Sequence, residues 1–517
     1  MYLNQNTRKQ SDRCFKYDLS GGIENSYAGK MGKIIAALNV SSKQNPMITS
    51  MGKLYRMSYP NDAICVGSYG ENIYYNTRDS FYFNGVKKGN ISFGEKVFVN
   101  FANRVYIFPD RIYYDLNTDT YEYFYRAVTA QLRIYKNDGQ YEAQYSDSRE
   151  GNLAEYFSES KSIKVTGSRD GVFDGCFKIN GFDKEKGIVK FGHCEPDEDF
   201  LSTVVATISN GAPELLGAIA CKNRVWGFIG NKIYASALGD GLSWCDFDDE
   251  NGSYFYENLG GDTFSAINSI EDQPVLFTHD NVYKIYGDNV IEYSLKMLSG
   301  HGGIEDGFYR CHARIFGDVY YINKNSIIKL SGARGDVICR LNDNDINAGF
   351  CCGYGDKLYF SYYAQNGEHL CVLDASFGII YEIGIRGVKG FLNLYGGICA
   401  ITDNEIISLD GKIADLPSDF VADTDITSYI EFNEIHNDWD RFSPAKLYLR
   451  SKILPDGELN IYCMLGNSGE WSFVHTVKEE GERLWEFSLP ASLTDSFRLK
   501  IEGRGDYTLN NIYVLFS

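Results

Sequence analysis

The sequence predicts an all-β protein: a six- or seven-bladed β-propeller carrying a small inserted β domain and a C-terminal β-sandwich or jelly roll. Three observations carry that reading. First, the 517 residues hold 39 Tyr, 32 Phe and 52 Gly but only 10 Pro. Tyr and Phe suit half-buried pleated surfaces, and Gly suits the turns between them. Second, one unit recurs along the chain: an apolar strand, a turn rich in Gly, Asn and Asp, and a second alternating strand, as in NRVWGFIGNKIYASALGDGLSW at 223–244. That is a hairpin signature. Third, the turns Gly230-Asn231, Asp280-Asn281, Lys324-Asn325, Asn366-Gly367 and Asp403-Asn404 follow one another at roughly 50, 44, 42 and 37 residues. A period of ~40–45 residues built of four short strands is what propeller blades require. One small twisted sheet cannot bury both faces alone, so copies stack radially until the ring closes.

Taken in order, residues 1–39 read as an N-terminal arm and 40–127 as the first blades. The latter contain KVFVNFANRVYIFPDRIYYDLNTDTYEYF at 96–124 and a poorer copy, AICVGSYGENIYYNTRDSFYFNG, at 63–85. Residues 128–211 break the rhythm with strands and long polar loops, and read as a β domain inserted between blades, where surface loops tolerate insertion. Residues 212–420 resume the repeat. The stretch 414–424, IADLPSDFVAD, reads as a linker, and 421–517 as a terminal sandwich of short alternating strands with turns such as Pro455-Asp456-Gly457.

The formal net charge is -19, from 69 acidic against 50 basic residues. Such a chain has no electrostatic footprint for gripping a phosphate backbone. No apolar run reaches the ~18 residues of a membrane span, and MYLNQNTRKQSDRCFKYDLSGG lacks the apolar region of a secretory signal. The 13 Cys are scattered, without a C-x-x-C pair, and read as reduced thiols, with Cys65, Cys221, Cys371 and Cys399 as small core residues.

Catalytic signatures are missing. The seven His fall in different elements, with no H-E-x-x-H, G-x-S-x-G, phosphate loop or dinucleotide fingerprint. SGHGGIEDG at 299–307 is Gly-rich but lacks the Lys and Ser/Thr of a phosphate loop, and reads as an inter-blade loop. The acidic runs DFDDENG at 246–252 and NDND at 342–345 do not continue as a calcium loop. Paired carboxylates contributed by separate blades would come from acids such as Asp272, Asp318 and Asp356, each of which also suits a turn. Trp471 and Trp485 could stack on sugars, although large aromatics at strand spacing are more often core. The expectation is therefore no enzyme, no catalytic residue, no cofactor and no bound metal.

At this point the chain resembles a family of tailed-phage virion proteins from Gram-positive gut bacteria. These are related in architecture to the propeller-bearing nozzle and DNA-stabilisation proteins of short-tailed phages. The residues that carry the resemblance are LLGAIACKNRVWGFIGNKIYASALGDGLSWCDF at 215–247, PVLFTHDNVYKIYGDN at 274–289, FDGCFKINGFDKEKGIVKFG at 173–192 and SFRLKIEGRGDYTLNNIYVLF at 496–516. It spans roughly residues 60–517; the Gly-rich arm with which the family opens is only faint here, as LSGGIENSYAGKMGKI at 19–34. The resemblance implies a structural part of the tail or neck, made in the host cytoplasm. It implies a homo-oligomeric ring around the DNA path, with portal or adaptor proteins and fibres as partners and genomic DNA passing without specific binding. The other readings are a carbohydrate- or receptor-binding module on the virion surface and a polysaccharide hydrolase.

Overall fold

The computed structural model describes residues 13–516 apart from 24–29, 61, 169–172, 195–200, 248–249, 299–301, 306–308, 342–345, 410–415, 417–418, 424–425, 437–440, 467 and 491. Outside one helical turn, Leu153–Tyr156, and a single 3-10 turn, the regular structure of these residues is β.

Seven antiparallel sheets form blades, at 65–90, 97–123, 217–257, 266–298, 312–340, 347–383 and 390–408. Their first strands pack side by side around a closed ring, the seventh against the first. The second strand of each blade explains the apolar runs in the sequence. Arg224–Ile229 (RVWGFI) and Arg104–Phe108 (RVYIF) are buried along almost their whole length, because neighbouring blades cover both faces. Outermost strands such as Val86–Asn90 (VKKGN) and Thr120–Tyr123 (TYEY) are exposed and polar in proportion. One hydrophobic cluster fills each gap between successive blades, so the core is distributed around the ring rather than gathered at a centre.

Ring closure departs from the expected boundaries. The seventh blade takes its fourth strand from Leu54–Ser58, and Val421–Asp423 adds a fifth on the far edge. Arg56 stitches both edges, donating to Glu405 at 2.7 Å and Asp423 at 3.0 Å. Residues 421–423 therefore belong to the blade rather than to the terminal sandwich or a linker; of 414–424, positions 414–415, 417–418 and 424 lie outside the described residues.

The stretch 127–209, between the second and third blades, is a closed six-stranded antiparallel barrel. Its two ends are pinned together by Asn210, whose backbone N–H donates to the Arg126 carbonyl at 3.0 Å and whose side-chain amide donates to the Phe124 carbonyl. Aliphatic and aromatic side chains, including Leu153 and Phe157 from the helical turn, fill the barrel's interior.

Two further sheets sandwich a common core at the C-terminal end. Four strands from the first fifty residues are part of it: Arg13–Lys16, Val40–Ser41 and Ile48–Ser50 join one sheet and Ile34–Leu38 joins the other. The expectation of a free arm over 1–39 is thus corrected for its described part, and residues 40–50 are not propeller. In the apolar stretch IIAAL, Ile34 and Ala37 are buried in the sandwich core; Thr427–Phe432 pairs with the strand on one side and the sixth blade meets it on the other. At that junction Asn39 adopts a left-handed conformation (φ 55°). Its amide accepts from the Gly384 N–H at 2.8 Å and donates to the Thr427 carbonyl at 2.7 Å, joining blade to sandwich.

Candidate functional site

The seven first strands converge on an axial cavity of about 320 Å³, lined at one mouth by residues from every blade. Much of its wall is apolar, including Val66, Phe98, Ile267 and Phe391. Three cations line it: Lys96, Arg310 and Lys389. Arg310, on the approach to the fifth blade, reaches across the axis to the first two. Its Nη2 donates to Cys65 Sγ at 3.0 Å and to the Lys96 carbonyl at 3.2 Å. The guanidinium lies against the Tyr309 ring (4.8 Å) and the Phe350 ring (5.7 Å). Stacking of this kind fixes the plane of an arginine.

The other two cations are committed. Lys96 is 2% exposed and meets Asp110 Oδ2 at 2.5 Å and Ser92 Oγ at 2.8 Å. Burial alone would raise the Asp110 carboxyl, but Lys96 and Ser92 outweigh it and hold it below the ordinary value. Lys389 pairs with Asp403. At the rim, the Tyr309 hydroxyl donates to Glu95.

His312 borders the same cavity, stacked on Phe277 with ring centroids 5.8 Å apart and with Nδ1 2.6 Å from the Asn268 amide nitrogen. The residue is half-buried, with part of its surface toward the cavity, and desolvation of the imidazole pushes its pKa down to about 4. The ring is neutral at physiological pH.

The acids singled out from the sequence do not meet here. Asp272 sits in a two-residue hairpin turn of the fourth blade (φ 57°) and accepts from the Lys222 N–H at 3.0 Å. Asp318 opens a strand of the fifth blade, bound to Lys329 (2.9 Å) and Ser331 (2.6 Å). Asp356 accepts from Ser376 in the sixth blade at 3.2 Å. All three follow the first strand of their blade, at the opposite end from the cavity, and no carboxylate is among the described residues that line it. Paired-carboxylate hydrolysis has no acid to work with at this mouth.

Nor are the two tryptophans brought together. Trp485 lies in Gly481–Ser488 of one sandwich sheet, opposite Leu449 and partly buried against the core. Trp471 precedes Ser472–Val477 of the other sheet, and Arg498 (5.7 Å) and Lys500 (5.1 Å) occupy its ring face. A groove of about 740 Å³ between propeller and sandwich is lined by charged residues such as Lys53, Asp456, Arg504 and Asp506, with no aromatic ring among them. Among the described residues, no group of three or more His, Cys, Asp or Glu is placed to hold a metal ion. Asp248, Asp249 and 342–345, from the two acidic runs, lie outside the described residues.

Sequence reasoning missed Arg310, Lys96 and Lys389. A signal was present: Lys96 and Lys389 stand immediately before the first strand of their blades, and Arg310 two residues before it.

No protein-family model matches this chain, and no curated protein matches it. Solved structures do. The β-propeller domain of Cps50 (Swd1) from Myceliophteria thermophila is 8% identical, with a TM-score of 0.29, over 62% of this chain and 99% of that one. The β-propeller domain of the trilobed protease from Pyrococcus furiosus is 11% identical, with a TM-score of 0.30, over 69% and 94%. A family 43 arabinoxylan arabinofuranohydrolase from Bacillus subtilis is 10% identical, with a TM-score of 0.22, over 81% and 94%. The chain's own seven sheets, closed in a ring, make it an all-β, propeller-bearing protein.

Proposed function

We propose that this chain is a non-enzymatic structural component of a tailed-phage virion, a nozzle- or hub-type protein of the tail or neck. In this reading, copies form a ring around the DNA path and contact the portal or adaptor proteins and fibres. What supports it is the placement of exposed apolar side chains. They are spread over all seven blades, the barrel and the sandwich, instead of gathering in one concave patch. Several lie on the outer strands and adjoining loops of the third and fourth blades, where Leu259 is 90% exposed, Ile291 79% and Met297 63%. Large exposed apolar patches mark protein contacts, and a closed ring of identical copies needs one on each side of the subunit.

Charge fits the same role. A net charge of -19 with no basic stripe allows a polyanion to slide past without sticking. The DNA path would lie between subunits, because Arg310 crosses the propeller's own axis. The receptor-binding alternative needs an open aromatic platform, and the face of Trp471 is taken by two cations.

The test is particle assembly. The purified chain, mixed with portal-side virion proteins and imaged by electron microscopy, should add a ring to the connector. A chain that ignores the connector and instead retains cell-wall glycans on a column would establish the receptor-binding alternative.

A further inference from the structure

The outer wall of the inserted barrel carries one thiol of a pair, and the third blade carries the other. In the strand Ser162–Thr166, Ile163 and Val165 belong to the barrel core. Side chains alternate along a strand, so Ser162 and Lys164 face outward. Cys176, opposite Lys164 in the neighbouring strand Gly175–Asp183, faces outward beside them. This face meets the long loop that follows Lys232–Ala235 in the third blade. Lys161 pairs with Asp240 of that loop at 2.7 Å. Further along it, Cys245 Sγ lies 3.3 Å from Ser162 Oγ and 3.4 Å from the Asn210 carbonyl oxygen. Gly211 permits the approach, since a Cβ there would sit 2.8 Å from Cys245 Sγ. The Cys176 and Cys245 thiols come close enough to hydrogen-bond to each other.

The two sulfurs are not equivalent. Cys176 is half-buried, whereas Cys245 is 2% exposed. The hydrogen bond from Cys245, helped by the Lys164 ammonium, holds the Cys176 thiol below its ordinary value against the opposing effect of burial. Contact with Cys176 and burial push Cys245 the other way. Cys311 and Cys351, which also lie near each other, are both pushed up by burial. A reachable thiol held toward its thiolate is the nucleophile of disulfide exchange, and a second thiol in contact with it is the resolving partner. We propose that Cys176 and Cys245 are a disulfide-forming pair that fastens the inserted barrel to the third blade when the chain meets a disulfide-class oxidant. The Cys176 thiolate attacks one sulfur of the oxidant, forming a mixed disulfide and expelling one thiolate. Cys245 gives its proton to solvent and attacks Cys176 Sγ, expelling the second thiolate. The oxidant is reduced to two thiols and the protein loses two hydrogens. Bonding draws together sulfurs already in contact, to the ~2 Å of a disulfide. The pair works within one copy of the chain, so it is independent of ring assembly.

The experiment is oxidation of the folded full chain with oxidised glutathione. Remaining thiols are then trapped with N-ethylmaleimide, and the peptides are mapped by mass without reductant. The expected product is a peptide pair linked through Cys176 and Cys245, roughly ten-fold or more abundant than any other cysteine link. Dithiothreitol should abolish it. C245S should stop at the mixed disulfide, with glutathione held on Cys176. C176S should leave Cys245 unmodified under the same exposure. Being changed at a half-buried position, C176S carries the test if C245S fails to give a cooperative unfolding transition. A parent chain in which both thiols stay reduced, or one that stops with glutathione on Cys176, would overturn the proposal. So would another cysteine link formed as readily, no glutathione on Cys176 in folded C245S, or a modified Cys245 in C176S.

Discussion

His312 ties the axial site to the stability of the ring. Its pKa is pushed down to about 4 from an ordinary 6.5, so below pH 6.5 the unfolded chain takes up a proton that the folded site refuses. Stability should fall as pH drops from 6.5 to about 4 and then level off in this term, by on the order of 2 kcal/mol, discounted because part of the residue faces the cavity. Asp110 acts in the same direction at lower pH, its contribution fading as the pH falls below the ordinary carboxylate range and through its lowered pKa. Urea unfolding at pH 7 and pH 4.5 should show the wild type losing more stability than His312→Phe, which keeps the ring on Phe277; equal losses would contradict the assignment. Arg224 supplies a second residue-scale case. It is 1% exposed and donates to the carbonyls of Ser236, Gly252 and Glu250, holding down the long third loop of its blade. Arg224→Met should cost about 3 kcal/mol or more by stranding buried carbonyls, read as a lower urea midpoint at unchanged slope. Neither role was visible in the sequence, where both residues sit in ordinary strand patterns. Burial of Cys65, Cys221, Cys371 and Cys399 was visible, because small apolar residues in alternating strands have few other places to go.

At the scale of elements, the legible part was the turn chemistry. All five turns that set the sequence period join the second and third strands of successive blades, the third to the seventh. They mark one structural position because a tight hairpin there needs Gly or Asn. The first two blades turn at that point through residues 77–79 and 109–111, which hold neither Gly nor Asn, so neither supplied a member of the period, and the 63–85 copy read as poorer. The strand that closes the ring was illegible for a different reason. Leu54–Ser58 pairs with residues some 350 positions away, and the local sequence carries no trace of that partner. The same holds for residues 13–50, whose alternation indicates strands but not the sandwich they join. A chain lacking residues 1–58 should therefore lose two bodies at once, the seventh blade and the sandwich. Near-ultraviolet circular dichroism and melting would show loss of the single cooperative transition, and a truncated chain melting like the parent would refute this account of closure. Asn39→Ala should weaken the blade–sandwich junction by about 2 kcal/mol, from two lost hydrogen bonds and a left-handed backbone that alanine tolerates poorly.

The molecule as a whole presents acidic charge, exposed apolar side chains spread over its blades and, among the described residues, no acid lining its axial cavity. The class of fold was readable because hairpin spacing and aromatic content are properties of the entire chain. The candidate site was not, since an axial position is made by seven strands that lie up to some 325 residues apart in sequence. If neighbouring copies meet on the third and fourth blades, Leu259→Glu combined with Met297→Glu should leave the fold intact and dissolve the assembly. Sedimentation of the purified wild type over a hundred-fold range of concentration is the most direct test. The account predicts one discrete closed oligomer, or a monomer that closes only when connector proteins are added, with the double variant monomeric in either case. A wild type that stays monomeric at every concentration and with every connector protein, while binding host glycans, would contradict it.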